Sequence, residues 1–415
     1  MKRNVIVGQS GGPTAAINSS LAGVYRTAKD RGAQKVYGML HGIQGLLEEK
    51  YIDLADHIKT ELDAELLKRT PAAFLGSCRY KLPEIHENRE VYDKIFSILD
   101  KLDIEAFIYI GGNDSMDTIK KLSDYAIITG HPTRFIGCPK TIDNDLALTD
   151  HTPGYGSAAK YIGTSMKEII RDGFCLEYEK GIVTIVEIMG RNAGWLTGAT
   201  ALSEGEDCEG PDLIYLPEVT FDLKKFGEKV KKLLETKPSI VVAVSEGIRT
   251  AEGTYVCELG NSIDFVDAFG HKQLSGTASY LASYIAGEIG CKTRAIELST
   301  LQRAASHAAS RVDILEAYQV GGAAVKAADE GDSGKMVVLQ RLSDDPYQCG
   351  TEVKDVHKIA NDEKLVPREW VNKDGTYVTS EFISYVRPLI QGDVSPVMVD
   401  GIPRHLYTPK ELSHR

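Results

Sequence analysis

Asn4-Val5-Ile6-Val7-Gly8-Gln9-Ser10-Gly11-Gly12-Pro13 reads as a short apolar strand that runs straight into a glycine turn. The strand is expected over residues 4–7, and a helix is expected over 13–29. The same order returns along the chain. Residues 106–110 are β-rich and 114–122 look helical; 182–188 is a strand candidate and 192–202 a helical one. Further strands are expected at 135–138, 240–244 and 336–339. Strands alternating with helices predict parallel sheets covered by helices on both faces. Several of these strands end in clusters of Gly, Asp or Asn. In open α/β sheets ligands bind beyond the carboxyl ends of the strands, so the clusters are expected to converge on one crevice.

The chain has 415 residues, enough for two domains with their own cores. Its net charge of −11 argues against sequence-independent nucleic-acid binding, which draws its affinity from Lys and Arg on phosphates. A local basic pocket for a small anion remains compatible with that balance. No run approaches the roughly 18 to 20 apolar residues of a membrane span. Met1-Lys2-Arg3 leads directly into the first strand, without the apolar core of a signal peptide. The seven cysteines form no Cys-x-x-Cys pair and the ten histidines no His-x-x-x-His cluster. A cytoplasmic, reduced protein is expected, with no membrane and no nucleic acid among its partners. Residues 343–415 are more polar and rich in proline. Trp370, Phe382, Tyr385 and Leu389 give them something to bury, so they are read as an irregular C-terminal extension packed on the core.

Six places carry candidate chemistry. Gly8-Gln9-Ser10-Gly11-Gly12-Pro13 joins a strand to a helix, where backbone amides and the helix dipole favour an anion; a plain tight turn is the alternative. Gly111-Gly112-Asn113-Asp114-Ser115 stands at another such junction, where Asp114 or Ser115 could simply cap the helix. Pro139-Lys140-Thr141-Ile142-Asp143-Asn144-Asp145 places two carboxylates beside a lysine. One acid could serve as general base and the other as metal ligand, with Lys140 neutralising a phosphoryl group; a solvated turn is the bland reading. Met189-Gly190-Arg191 follows a strand, and by itself it reads as a surface arginine at the start of a helix. Arg79, Arg294 and Arg303 (with Gln302) could grip phosphate in bidentate fashion, or could be solvated charges.

Taken in order, Ser-Gly-Gly, Leu-Gly-Ser-x-Arg, Gly-Gly-x-x-Ser, Thr-Ile-Asp-Asn-Asp, Met-Gly-Arg and Gln-Arg resemble the phosphofructokinase family over about residues 5–341. The resemblance implies an α/β fold of two Rossmann-like three-layer domains with mainly parallel sheets. Residues 1–150 plus about 302–342 would bind the phosphoryl donor, and 151–301 the sugar phosphate. It implies transfer of a phosphoryl group to the 1-hydroxyl of fructose 6-phosphate, a step of glycolysis and its reverse. Asp143 would be the general base, Thr141 a substrate contact, and Asp145 an acid near Mg2+. Met189, Gly190, Arg191 and Glu246 would meet the sugar, Arg303 its 6-phosphate, and Arg294 would reach the same phosphate from a neighbouring subunit. That implies a homo-oligomer, with a dimer favoured over a tetramer.

The donor is read from two departures. ATP-dependent members carry glycines where this chain has Asp114 and Lys140, and pyrophosphate-dependent members carry an acid and a lysine there. A carboxylate where the α-phosphate of ATP would lie repels it, and a lysine stabilises the transferring phosphoryl group. Gly11, Gly12, Arg79, Asp114 and Lys140 are thus the expected donor-site residues, with pyrophosphate as donor. Asn113 stands where most members have an aspartate near magnesium, and Thr300 where short members have His or Tyr before Leu301-Gln302-Arg303. Two alternatives stay open: an ATP-dependent enzyme whose Asp114 and Lys140 point away from the donor, and a non-catalytic subunit that binds sugar phosphate.

Overall fold

The computed structural model describes residues 1–175, 178–260, 274–359 and 363–407. Its first sheet holds seven strands. They are β1 (Asn4–Gln9), β2 (Val36–Met39), β3 (Tyr51–Asp53), β4 (Ile104–Gly111), β5 (Arg134–Pro139), β10 (Lys335–Asp344) and β11 (Tyr347–Asp355), in the order β11-β10-β5-β4-β1-β2-β3. The five inner strands are parallel, and β3 and β11 close the edges antiparallel. The second sheet is β7 (Leu213–Tyr215), β8 (Ser239–Ser245), β6 (Ile182–Ile188) and β9 (Lys292–Glu297), all parallel, in the order β7-β8-β6-β9.

The helices are α1 (Ile17–Asp30), α2 (Gly42–Leu47), α3 (Glu61–Arg69), α4 (Arg89–Lys101), α5 (Asn113–Thr129), α6 (Tyr155–Phe174), α7 (Trp195–Gly198), α8 (Leu223–Leu234), α9 (Thr277–Ile289), α10 (Leu301–Ala304), α11 (Arg311–Glu330) and α12 (Ser380–Val386). Alternate residues of the strands feed opposite cores, as the two-residue period of a strand requires. Val5, Val7, Ala106 and Ile108 pack on α1 and α11, whereas Ile6, Phe107 and Tyr109 pack on α4 and α5. In the second sheet Val186 and Ile188 face α6, and Val183 and Ile185 face α8 and α9. Each sheet is therefore sandwiched between helices, the expected three-layer arrangement. α1 and α11 approach so closely that a Cβ on Gly23 would lie 2.1 Å from the Tyr318 carbonyl oxygen, and one on Gly321 2.0 Å from that of Ser20.

The strand expectations all find strands, with ends shifted by up to a few residues. The helix expected from residue 13 starts at Ile17, after a turn in which Thr14 Oγ1 accepts from the amides of Ala16 and Ile17 at 3.2 and 2.9 Å. The stretch 192–202 holds one short α-helical turn, α7, followed by 3-10 turns. Residues 347–355 of the C-terminal extension form β11 along the edge of the first sheet. Beyond it, Val366, Val371, Val378, Phe382 and Leu389 enter the core under α6 and α7. Trp370 and Phe382 pack on Trp195 there, with ring centroids 6.0 and 5.9 Å from it. The last part of the expected extension, 408–415, lies outside the described residues.

Candidate active site

Because β1, β4 and β5 run parallel, their carboxyl ends open at one edge, and the loops that follow are tied together there. The Ser10 amide donates to the Ile110 carbonyl at 2.9 Å, and the Lys140 amide to the Gly111 carbonyl at 2.9 Å. The loops after β6 and β8 meet them from the second sheet. Ser245 Oγ donates to the Gly190 carbonyl, and the Gly190 amide donates to Glu246 Oε1 at 3.3 Å. Gly190 adopts φ +142° and a Cβ there would fall 2.6 Å from the Ala193 carbonyl oxygen, so only glycine suits this turn. Gln302, at the start of α10, accepts from the Met189 amide at 3.2 Å and so fixes its neighbour Arg303 against this loop.

Between the two sets of loops lies a cavity of about 280 Å³. Its wall includes Gly12, Arg79, Lys140, Thr141, Asp143, Asp145, Met189, Gly190, Arg191, Glu246 and Arg303. Eleven of the sixteen expected site residues thus share one wall. The other five stand off it. Gly11 lies behind the wall, where a Cβ would come 3.2 Å from Lys140 Nζ. Asp114 is exposed on the first turn of α5, next to Asn113. Thr300 is exposed at the start of α10. Arg294 sits on β9, whose outer edge is unpaired among the described residues, and its guanidinium pairs with Asp172 at 2.7 Å.

The wall is charged in two sectors. Arg79, Lys140 and Arg303 form a cationic side. Lys140 is only 2% exposed, and its Nζ donates to the Gly12 carbonyl at 2.8 Å. Burial lowers its pKa to about 8, against the pull of Asp143 and Asp145. Burial likewise lowers that of Arg303, and Arg79 beside it adds to the effect. Asp143, Asp145, Glu246 and Glu363 form the acidic side. Burial raises the Asp143 carboxyl above its usual range, opposed by the Thr141 hydroxyl and by Lys140. Thr141 Oγ1 donates to Asp143 Oδ2 at 3.2 Å and accepts from the Asp143 amide at 3.1 Å, which aims the carboxylate. Burial pushes Asp145 up to about 7, helped by Asp143 and Glu363, and Glu246 up to about 7. Titratable groups pushed toward neutrality in one cleft are the mark of acid–base chemistry.

The acidic side also fits a divalent cation. Oxygen donors with few other partners are what hard cations take. Asp145 is crowded by like charges, and the Oδ1 atom of Asn113, the first residue of α5, is buried without a hydrogen-bond partner. Asp145 and Asn113 are the residues that would hold such an ion.

Sequence reasoning missed Thr14, Ile142, Asn192, Ala193 and Glu363 on the wall. Asn192 donates to Glu363 Oε1 at 3.0 Å, so one of the acids on the wall comes from the C-terminal extension. The adjacency of Asn192 to the Met-Gly-Arg run was a signal for the first; nothing local marks Glu363.

A cationic pocket for a phosphate, opposed by a carboxylate aimed by a threonine, is a phosphoryl-transfer site at the switch of a doubly wound α/β fold. The phosphofructokinase family model matches residues 4–328, and the chain belongs to the phosphofructokinase family. It is 40% identical over 407 residues to the pyrophosphate–fructose 6-phosphate 1-phosphotransferase of Halomonas elongata, covering 97% of this chain and 95% of that one. It is 41% identical over 405 residues to the enzyme of the same name from Xanthomonas campestris pv. campestris, again covering 97% and 95%. A solved structure of a pyrophosphate-dependent phosphofructokinase from Nitrosospira multiformis superposes with a TM-score of 0.88 at 35% identity, covering 98% of this chain and 96% of that one. No helix among the described residues is long and apolar enough to cross a membrane.

Proposed function

We propose that this chain transfers a phosphoryl group reversibly from pyrophosphate to the 1-hydroxyl of fructose 6-phosphate, giving fructose 1,6-bisphosphate and phosphate. The observation that carries the donor assignment is Lys140. It lies in the cavity wall, held to the Gly12 carbonyl and facing Asp143, where ATP-dependent members have a glycine. Full-length similarity to relatives named for the pyrophosphate reaction points the same way.

Asp143 takes the proton from the sugar 1-hydroxyl as that oxygen attacks the phosphoryl group. Thr141 keeps its carboxylate in line. Lys140 and Arg79 offset the negative charge of the donor, with the backbone of Gly11 and Gly12 against its oxygens, and the exposed Asp114 on the first turn of α5 disfavours a nucleotide. Met189, Gly190, Arg191 and Glu246 seat the sugar, and Arg303 its 6-phosphate. Phosphoryl transfer asks for little covalent work, so this positioning and charge carry most of the rate. The divalent cation is Mg2+, which when bound neutralises charge on the donor oxygens; Asp145, with Asn113, would hold it. The working form is a homodimer in the cytoplasm, in which Arg294 on the open edge of β9 completes a partner's sugar-phosphate site, while Thr300, just ahead of Arg303, stands by the sugar of its own chain's site.

Turnover measured with pyrophosphate and with ATP, side by side on fructose 6-phosphate, tests the reading. Pyrophosphate is expected to support turnover at a rate well above that with ATP. Equal or faster turnover with ATP would overturn the donor, and no turnover with either would overturn the reaction.

A further inference from the structure

The loop that carries the two catalytic-side acids is held by a segment far along the chain. Residues 143–150 follow β5 without regular structure, and Asn144 within them adopts a left-handed φ of 56°. Such a loop does not keep its shape by its own backbone hydrogen bonds. Lys364 supplies what it lacks. Its amide donates to the Asp145 carbonyl at 2.8 Å. Its Nζ donates to the Asp150 carbonyl at 2.6 Å, the Thr149 carbonyl at 3.3 Å and Asn144 Oδ1 at 3.2 Å. One ammonium therefore pins both ends of the loop. Lys364 is itself fixed: its carbonyl accepts from Trp195 Nε1 at 2.8 Å, and its ammonium lies 5.2 Å from the centre of that indole. Tyr385 repeats the clamp. Its hydroxyl accepts from Asn144 Nδ2 at 3.0 Å and donates to the Asp150 carbonyl at 2.6 Å.

We infer that Lys364, supported by Tyr385, is a positioning residue for phosphoryl transfer: the C-terminal segment frames the loop that aims Asp143 and Asp145 into the cavity. The inference rests on the reaction proposed above. It accounts for the placement of the segment. A segment needed only to cover apolar surface would gain nothing from burying an ammonium on three oxygens of one active-site loop, since that costs desolvation. It also explains why Glu363, the preceding residue, stands on the cavity wall.

The test compares wild type, Lys364→Met and Tyr385→Phe as full-length protein, in two readouts. The first is steady-state kinetics with pyrophosphate and fructose 6-phosphate. A shift of the loop by a fraction of an ångström to one ångström is expected to lower kcat roughly 30- to 100-fold in Lys364→Met. The KM for fructose 6-phosphate should move by less than about threefold, because Arg303 and Glu246 lie on other elements. Tyr385→Phe, which leaves Lys364 in place, should lose roughly 3- to 10-fold in kcat with the same split. The second readout is hydrogen exchange of amides 143–150, expected to speed up in both variants while β4 is unchanged. Unchanged kcat, or a loss confined to KM, overturns the inference, as does unchanged loop exchange. Should Lys364→Met fail to fold, Tyr385→Phe decides alone. A wild type inactive on pyrophosphate and fructose 6-phosphate instead overturns the proposed reaction, and the exchange data then still report whether Lys364 holds the loop.

Discussion

Lys140 Nζ donates to the Gly12 carbonyl oxygen at 2.8 Å, so the loop after β5 is anchored by its lysine to the loop after β1. The ammonium shares the cavity wall with Arg79 and Arg303, and in the reaction proposed above it would offset the negative charge that builds on the leaving phosphate as its bond to the transferred phosphoryl group breaks. Lys140→Met keeps the stem and removes the charge. Its kcat with pyrophosphate is expected to fall by about 10² to 10³, the usual loss when one preorganised donor to transition-state charge is deleted. The KM for fructose 6-phosphate should change little. Steady-state kinetics checks both, and a variant with wild-type kcat would remove Lys140 from the chemistry.

Asp143 is half-buried at the wall with its carboxylate aimed by Thr141. Asp143→Asn preserves shape and the threonine contact and abolishes proton acceptance. Turnover is expected to drop by about 10² to 10⁴, the range for loss of a general base. Calorimetric titration with fructose 6-phosphate should still show binding within a few-fold of wild type. Near-normal turnover would transfer the role of base elsewhere, with Glu246 the next carboxylate on the wall.

Removal of divalent cations with EDTA is expected to abolish turnover, and Mg2+ to restore it. Asp145→Asn should raise the Mg2+ concentration for half-maximal rate by about tenfold or more, since a carboxylate is a far better hard-cation ligand than an amide. Asn113→Ala should raise it by less. Binding of Mn2+ followed by electron paramagnetic resonance gives the same comparison without turnover. Identical metal binding in Asp145→Asn and wild type would reject Asp145 as a ligand.

His151 is enclosed between two carboxylates, with Nδ1 2.8 Å from Asp150 and Nε2 2.7 Å from Glu316. Arg341 faces Asp150 and the Tyr347 hydroxyl faces Glu316, so His151 and Glu316 are buried while Asp150 and Arg341 keep a partly exposed edge. Burial alone would lower the imidazole pKa, but the two carboxylates reverse that and raise it above its ordinary value near 6.5. A raised folded-state pKa contributes stability that is fully present below about pH 6.5 and is lost as the pH rises through the folded value. Wild type is therefore expected to exceed His151→Gln in urea midpoint most at pH 6, with the gap narrowing as the pH rises. Urea unfolding at pH 6, 7.5 and 9 measures it, and a gap that widens with pH would contradict the charged state of His151.

The local code of this chain was legible because it is local. Apolar runs of strand length, glycines that permit left-handed turns and acids at strand ends are written within ten residues of one another. They were enough to call up two sandwiched parallel sheets and to bring Lys140, Thr141, Asp143 and Asp145 to one crevice. The order of short motifs supplied Arg79, Glu246 and Arg303, which no single motif carried alone. What lay beyond the sequence is contact between residues two hundred positions apart. Nothing in the neighbourhood of Glu363 or Lys364 marks them, and Tyr385 is legible only as an aromatic to bury, because hydrogen bonds to the loop at 143–150 leave no period or spacing behind. Only the packing of Trp370 and Phe382 on Trp195 brings that segment under the site. Exposure was equally hidden: Asp114 and Lys140 read as a pair, yet the fold buries the lysine in the wall and leaves the aspartate exposed on the first turn of α5, off the wall. A side chain's type is set by the sequence, but its surroundings, and hence its charge state and reach, are set by which distant elements close over it.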